Sequence, residues 1–449
     1  MSAETLIRPE LYIPDENVIA IVGLQRGDEG KGRFVDMLAA YYDIVARFNG
    51  GDNAGHTVVL PDGRVLKLHM IPSGVAYDNA VNVVGRGCVV NPLNLVREIG
   101  NVEAQGLAIN EDNFKLDGGT QLILPHHIFD DVIREAGAKS QGSTKSGIAQ
   151  VSSDKVLRTG MRTDLLNNDV DELFNAIVEG LQSQEEARQV AGLDSINAEE
   201  VAEHYIETAQ QLGTFVTDST YYLRQRLKKG ARILAEGAQA FLLDPDHGMA
   251  PYTTSTPTTA GAVATGLGIS PFALKKVIGV MKATQSHVGG GPFVTEITEE
   301  ENPELLSSLH GDQTTVDAEF GTTTGRKRRL GHLDLPQIVH ANEVNDTTEA
   351  ALTKLDWVPR YGKTVLICTS YERKGKVYTE APDSARKLEE CIPQYEELPT
   401  WKEDITHVRR FSDLPKNAKS YINFIEEKTE VPIKMIGVGP ARDQVIVRN

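Results

Sequence analysis

The stretch Ile19-Ala-Ile-Val-Gly-Leu-Gln-Arg-Gly-Asp-Glu-Gly-Lys-Gly-Arg-Phe-Val-Asp36 decides how the rest of the chain is read. Its apolar opening, residues 18–22, has the composition of a buried strand, and Gly23, Gly27, Gly30 and Gly32 punctuate a tight loop. Phe34, Val35, Met37 and Leu38 then recur at helical spacing. Strand, glycine loop and helix in that order aim backbone N–H groups at an anion on the positive end of a helix dipole, and Lys31 adds a full charge there. This is an atypical P-loop. Four residues do not separate a glycine from Gly30-Lys31, and Gly32 stands where a Walker sequence has its magnesium-binding Ser or Thr. A tight turn without a ligand would account for the glycines alone. It does not account for Asp28 and Glu29, because a carboxylate beside bound phosphate is repelled unless it holds a metal or moves a proton.

Working outward, strands are expected at 43–49, 65–71, 80–90, 120–125, 231–235, 275–283 and 433–438, with helices at 91–105 and 415–428 and a hairpin at 363–368 and 376–379. Residues 164–229 turn helical and charged, with Leu173, Ile177 and Leu181 on one stripe and Val201, Tyr205 and Ala209 on another. The expectation is an α/β protein with a large, mostly parallel central sheet, flanking helices and a helical insertion over 164–229. With no repeats or low-complexity linkers, the chain 1–449 reads as one elaborated domain.

Composition narrows the function. The 46 basic against 63 acidic residues give a formal charge of −17, which argues against a general binder of nucleic acid or anionic membrane. Anionic ligands then depend on local clusters such as Arg326-Lys327-Arg328-Arg329. Cys88, Cys368 and Cys391 lie far apart without CxxC spacing, so neither a disulfide framework nor a zinc site is expected, and a reduced cytoplasmic setting fits. Residues 1–17 carry Glu4, Glu10, Asp15 and Glu16 and no apolar segment, unlike a signal or transit peptide. No run approaches the roughly 20 apolar residues that span a bilayer.

Several polar loops punctuate the strands: Gly50-Gly-Asp-Asn-Ala-Gly-His-Thr57, Gly142-Ser-Thr-Lys-Ser-Gly147, Glu236-Gly-Ala-Gln-Ala240, the hydroxyl-rich run around Thr253 to Thr259, and Gly321-Thr-Thr-Thr-Gly-Arg-Lys-Arg-Arg329. A lone histidine such as His56 at a loop–strand junction is more often a surface or capping residue than a chemical one. The hydroxyls could cap turns or line a polar ligand.

Taken together, Gly27-Asp-Glu-Gly-Lys-Gly32, Gly50 to Thr57, Glu236-Gly-Ala-Gln239 with Asp246-His-Gly248, Thr323-Thr-Gly-Arg326 and Leu352-Thr-Lys-Leu-Asp356 resemble the adenylosuccinate synthetase family over nearly the whole chain. The resemblance implies GTP-dependent ligation of L-aspartate to IMP through a 6-phosphoryl intermediate, with magnesium, in a homodimer. Asp28 then matches the base that takes the N1 proton and a metal ligand, and the backbone of Gly55 matches a second metal contact. His56 matches the general acid of phosphoryl transfer, with Lys31 and Gln239 completing the catalytic set.

By the same resemblance, GTP is held by Gly27, Glu29, Gly30, Lys31, Gly32, Gly55, His56, Thr57, Arg328, Lys354, Asp356, Gly437 and Gly439, with Lys354 and Asp356 reading guanine. IMP falls to Asp28, Lys31, Asn53, His56, Thr144, Gln239, Thr254 and Arg326, and Arg158 reaches its phosphate from the other subunit. Aspartate falls to Thr322, Thr323, Thr324, Arg326 and Arg328. The chain departs from the family pattern at Arg26, Asp52, Lys145, Ser146, His287 and Ala441. A related acceptor, a 2-amino-6-oxopurine nucleotide such as (d)GMP, is the nearest rival to IMP, and a non-catalytic nucleotide-binding homologue is the rival of another class. Retained Asp28 favours IMP, because a 2-amino group needs room beside N1.

Overall fold

The computed structural model describes residues 15–60, 62–137, 142–190, 194–312, 315, 318–320 and 327–448. Val18–Gly23 (β1) is buried along its whole length, as an unbroken apolar run between two paired neighbours must be. Among the described residues nine more strands join it in one sheet: Ile44–Arg47 (β2), Val81–Val84 (β3), Phe114–Asp117 (β4), Val216–Thr217 (β5), Ile233–Glu236 (β6), Lys276–Lys282 (β7), Glu349–Thr353 (β8), Ile433–Gly437 (β9) and Val445–Val447 (β10). Their spatial order is β10-β9-β8-β7-β1-β6-β2-β3-β4-β5. Every neighbouring pair is parallel except β9 and β10.

The helix expected after the glycine loop forms as Lys31–Ala39 (α1) and returns across the sheet from the carboxyl end of β1. Because β1 lies between β6 and β7, its carboxyl end opens between loops that arrive from distant parts of the chain. Such an end is where open α/β sheets bind ligands. The helix expected at 91–105 is Pro92–Glu103 (α2), capped by the Asn91 side chain, with proline in the first turn.

Several boundaries differ from the sequence reading. The run 80–90 is not one strand: Gly85-Arg-Gly87 breaks it because the backbone of Phe48 passes so close that a Cβ at Gly87 would lie 2.1 Å from the Phe48 carbonyl oxygen. Beyond the break, Val89–Val90 pairs in parallel with Gln121–Leu122 in a separate two-stranded sheet. The 120–125 strand is this short because Pro125 opens the helix Pro125–Ala136 (α3). The expected strand at 65–71 is Val65–Leu68, antiparallel to His56–Val59.

Residues 164–229 do carry helices, among them Val170–Ser183, which buries Leu173, Ile177 and Leu181. In Ala198–Ala209 the buried face is Ala202, Tyr205 and Ala209, one position off the expected stripe at Val201. The same span also supplies β5, which closes the sheet edge beside β4. Residues 433–438 are not the last strand, since β10 follows. Among the described residues no helix is long and apolar enough to cross a membrane.

Candidate active site

At the carboxyl end of β1 lies a cleft of about 610 Å3. The loop entering α1 lines it and is wound through left-handed backbone: Gly27 and Gly30 have φ of 91° and 83°, and Asp28 between them has φ of 59°. Glu29 resolves the problem of two carboxylates beside a phosphate site. Its side chain is buried, accepts the Gly27 N–H at 2.8 Å and pairs with Lys31 Nζ at 2.8 Å. Asp28, with 28 % of its side chain exposed, instead meets the guanidinium of Arg328 at 2.8 Å.

His56 opens the strand after the Gly50–Thr57 loop and is buried. Its Nδ1 is bonded to Glu236, which is the carboxyl-terminal residue of β6 and in register with Arg47 of β2. Glu236 also accepts the Ser73 N–H at 2.8 Å and the Ser73 hydroxyl at 2.7 Å. Burial and the neighbouring Arg47 push the His56 imidazole down to about 4, against the pull of Glu236. It is therefore neutral near pH 7, with Nδ1–H donated to Glu236 and the Nε2 lone pair unprotonated. NMR titration of the free protein should show no His56 ring transition between pH 5 and 8; a midpoint near the ordinary 6.5 would contradict this account.

On the opposite wall Gln239 Nε2 donates to Asn53 Oδ1 at 3.0 Å, and Asn53 reaches the Thr254 hydroxyl at 3.5 Å. Gln239 Oε1 is buried and has no hydrogen-bond partner among the described residues, and it packs beside Gly50, where a Cβ would sit 3.0 Å from it. Thr144 lines the same wall. Arg158 does not: it is the exposed carboxyl cap of the helix Ile148–Leu157 (α4), outside the cleft.

Asp52 lies behind this wall, receiving one bond from Asn94 Nδ2 at 2.5 Å while its Oδ1 has no partner among the described residues. Burial raises its carboxyl from 3.8 to about 6. A carboxyl whose folded value is raised costs stability as pH rises from the unfolded value through the folded one, and here the full cost stands above about 6. Two units correspond to about 3 kcal/mol. Asp52→Asn should therefore raise the urea midpoint at pH 7.5 and leave it nearly unchanged at pH 4; an equal effect at both would refute the ionisation argument.

Lys354, in left-handed backbone with φ of 57°, and Asp356 form the far end of the cleft with Gly439 and Trp357. Gly437 stays behind it, where a Cβ would sit 2.9 Å from Arg33 Nη1. Arg33 donates to the carbonyls of Gly439, Ala441 and Gln444 at 2.7, 2.5 and 2.7 Å, and Arg442 grips Asp36 of α1 through two bonds of 2.5 Å. These clamps hold the terminal loop against α1. Thr322, Thr323, Thr324 and Arg326 lie outside the described residues.

Thus Gly27, Asp28, Glu29, Gly30, Lys31, Gly32, Asn53, Gly55, His56, Thr57, Thr144, Gln239, Thr254, Arg328, Lys354, Asp356 and Gly439 converge on one cleft. Arg26 and His287 line it too: Arg26 Nη2 donates to the Pro292 carbonyl at 2.8 Å, and His287 is pushed down to about 3 by burial and by Arg26. Sequence reasoning missed Arg47, Ser73, Glu236 as a partner of His56, and Arg33. Of these only Glu236, beside Gly237 and Gln239 in a quoted motif, carried a local signal.

A hard dication needs oxygen donors, which the Asp28 carboxylate and the backbone near Gly55 can offer beside a polyphosphate. The cluster His126, His127 and Asp154 has metal-like spacing but a different chemistry. His127 Nδ1 accepts the Leu124 N–H at 3.0 Å, so Nε2 keeps its proton for Asp154 at 2.9 Å and has no lone pair for a cation.

A family model for adenylosuccinate synthetase matches residues 20–446. The chain is 41% identical over 434 residues to the adenylosuccinate synthetase of Lysinibacillus sphaericus (strain C3-41), covering 96% of this chain and 98% of the relative. The enzyme of that name from Caldanaerobacter subterraneus subsp. tengcongensis is 41% identical over 435 residues, with coverage of 96% and 99%. The structure of fully ligated adenylosuccinate synthetase from Plasmodium falciparum matches with a TM-score of 0.87 at 35% identity, covering 96% of this chain and 100% of that one. Succinoaminodeoxyadenylate synthetase of cyanophage S-2L, bound to dGMP and dATP, shares the fold at a TM-score of 0.58 and 19% identity, with coverage of 96% and 95%. On the family match and on relatives of this identity and coverage, the chain belongs to the adenylosuccinate synthetase family.

Proposed function

We propose that this chain joins L-aspartate to IMP at the expense of GTP, forming adenylosuccinate, GDP and phosphate. The observation that carries the reading is the convergence of Asp28, Lys31, His56 and Gln239 with Lys354 and Asp356 on one cleft, a set that can hold a purine nucleotide at each end of a phosphate loop. Asp28 removes the N1 proton of IMP, O6 attacks the γ-phosphorus, and GDP leaves. The aspartate amine then adds to C6 and phosphate departs. Lys31 and the N–H groups at the start of α1 steady the phosphoryl charge.

His56 enters this scheme as a neutral ring and becomes a donor at Nε2 when anionic phosphate raises its pKa. Glu236 fixes which nitrogen carries the first proton. Asp28 and the Gly55 carbonyl would hold magnesium, which when bound neutralises phosphate charge. Arg326, Arg328 and the threonines 322–324 are assigned to aspartate, and Lys354 and Asp356 to guanine, whose N1–H and 2-amino group match a carboxylate. The exposed position of Arg158, next to Val156 and Leu157 at 81 % and 64 % exposure, supports a second subunit covering that end of α4.

The test is an assay with GTP, magnesium and aspartate that compares IMP with GMP and dGMP as acceptor, following phosphate release and purine absorbance together. Turnover with IMP, dependent on aspartate, is expected. Turnover preferring a 2-aminopurine nucleotide, or phosphate release indifferent to acceptor, would overturn the assignment.

A further inference from the structure

Glu319 belongs to none of the groups assigned above, yet its carboxylate sits between two of them. It is buried to 1 % exposure, with Oε2 lying 2.8 Å from Arg328 Nη1 and Oε1 bonded to Lys354 Nζ. Its backbone is equally fixed: Glu319 N–H donates to the His310 carbonyl at 3.0 Å, and Arg328 N–H donates to the Glu319 carbonyl at 3.1 Å. Arg328 spends its other terminal nitrogen on Asp28 at 2.8 Å. Lys354 Nζ lies 4.0 Å from the Trp357 ring centroid. Charges therefore alternate without a gap from Asp28 through Arg328 and Glu319 to Lys354, crossing the cleft from the phosphate loop to its far end.

We propose that Glu319 is a positioning residue that couples the two ends of the cleft, orienting Lys354 toward the nucleotide base and Arg328 toward the Asp28 end together. The inference rests on the ligase reading above. Arg328 covers an oxygen of Asp28 that the reaction needs bare. An incoming polyphosphate and amino-acid carboxylate offer Arg328 other anions, and the guanidinium turns toward them while Glu319 keeps its root in place. Because the same carboxylate holds Lys354, base occupancy and the orientation of Arg328 depend on each other, and such a dependence is reciprocal.

The ionisation agrees with this role. Burial would raise the Glu319 carboxyl, but Lys354, Arg328 and Lys282 outweigh it and hold it well below the usual range. A carboxylate serving only to neutralise one buried and one half-buried cation would, when replaced, disturb all substrates alike. A coupling carboxylate disturbs those at its two ends.

Glu319→Gln keeps the shape and one acceptor while removing the charge. The KM values for GTP and for aspartate should each rise about tenfold, with the KM for IMP within about twofold of the parent, consistent with the 5- to 150-fold span of common couplings. The apparent KM for GTP should depend on aspartate concentration in the parent and lose that dependence in the variant. A uniform rise for all three substrates, or a retained dependence, would overturn the proposal.

If Glu319→Gln does not fold, Lys354→Met serves instead. It should raise the KM for aspartate at least threefold from the base end, and an unchanged value would refute the coupling. If the parent itself fails to use IMP, aspartate and GTP, the ligase reading falls first. Calorimetric titration with GDP then decides separately: at least fivefold weaker binding in the variant is expected, and equal binding overturns the role given to Glu319.

Discussion

Asp28→Asn is expected to lower kcat by about three orders of magnitude while GDP binding, followed by calorimetry, changes little. A positioned general base contributes roughly 10²- to 10⁴-fold, and asparagine cannot take a proton. The fold should survive for two reasons. Asparagine tolerates the left-handed backbone that Asp28 adopts at φ of 59°, and Arg328, though deprived of one anion, keeps Glu319 at 2.8 Å. A kcat within tenfold of the parent would remove Asp28 from the role of base, whatever the binding result.

The second large effect is on stability. Glu236→Ala should lower the unfolding free energy by about 3–5 kcal/mol, the usual consequence of breaking a buried ion pair from one side. Arg47 is wholly buried, and its Nε and Nη1 have no hydrogen-bond partner among the described residues, so Glu236, 3.7 Å away, is the carboxylate that offsets its charge. Ser73 and His56 lose their acceptor as well.

Burial would raise the Glu236 carboxyl, but Arg47 and His56 bring it down to about 2 from 4.5. A carboxyl depressed in this way lends stability above its unfolded value and loses it as pH falls from 4.5 toward 2. The gap between parent and variant urea midpoints should therefore be full at pH 7 and narrower near pH 3. A gap below 1 kcal/mol at pH 7, or one that widens in acid, would mean that the pair does not carry the charge of Arg47.

Local features were legible because they are written in neighbouring residues. The glycines and Lys31 announce the turn into α1, and Asn91-Pro92 announces α2, since caps and left-handed turns are short-range chemistry. What escaped is long-range. His56 and Glu236 are 180 residues apart and meet only because β6 pairs with β2. The break at Gly85-Arg-Gly87 is set by the passing Phe48 backbone, and an apolar run cannot reveal that. β10 is three residues long and antiparallel, too short for any period to register. Glu319 stood in plain view beside the basic loop, but its meaning comes from Lys354, 35 residues later.

The left-handed residues of the site carry one more consequence. Asp28, Gln239 and Lys354 all hold positive φ in the cleft, where an ordinary side chain sits at a cost of roughly 1 kcal/mol or more and glycine would not. Selection or redesign that rewards thermal endurance alone will thus find glycine attractive at Gln239, which makes no ion pair, whereas Asp28 and Lys354 are also held by Arg328 and Glu319. In a library sorted by heat resistance, loss of turnover should be enriched at Gln239, so the endurance of this protein and its usefulness pull on the same backbone angle in opposite directions.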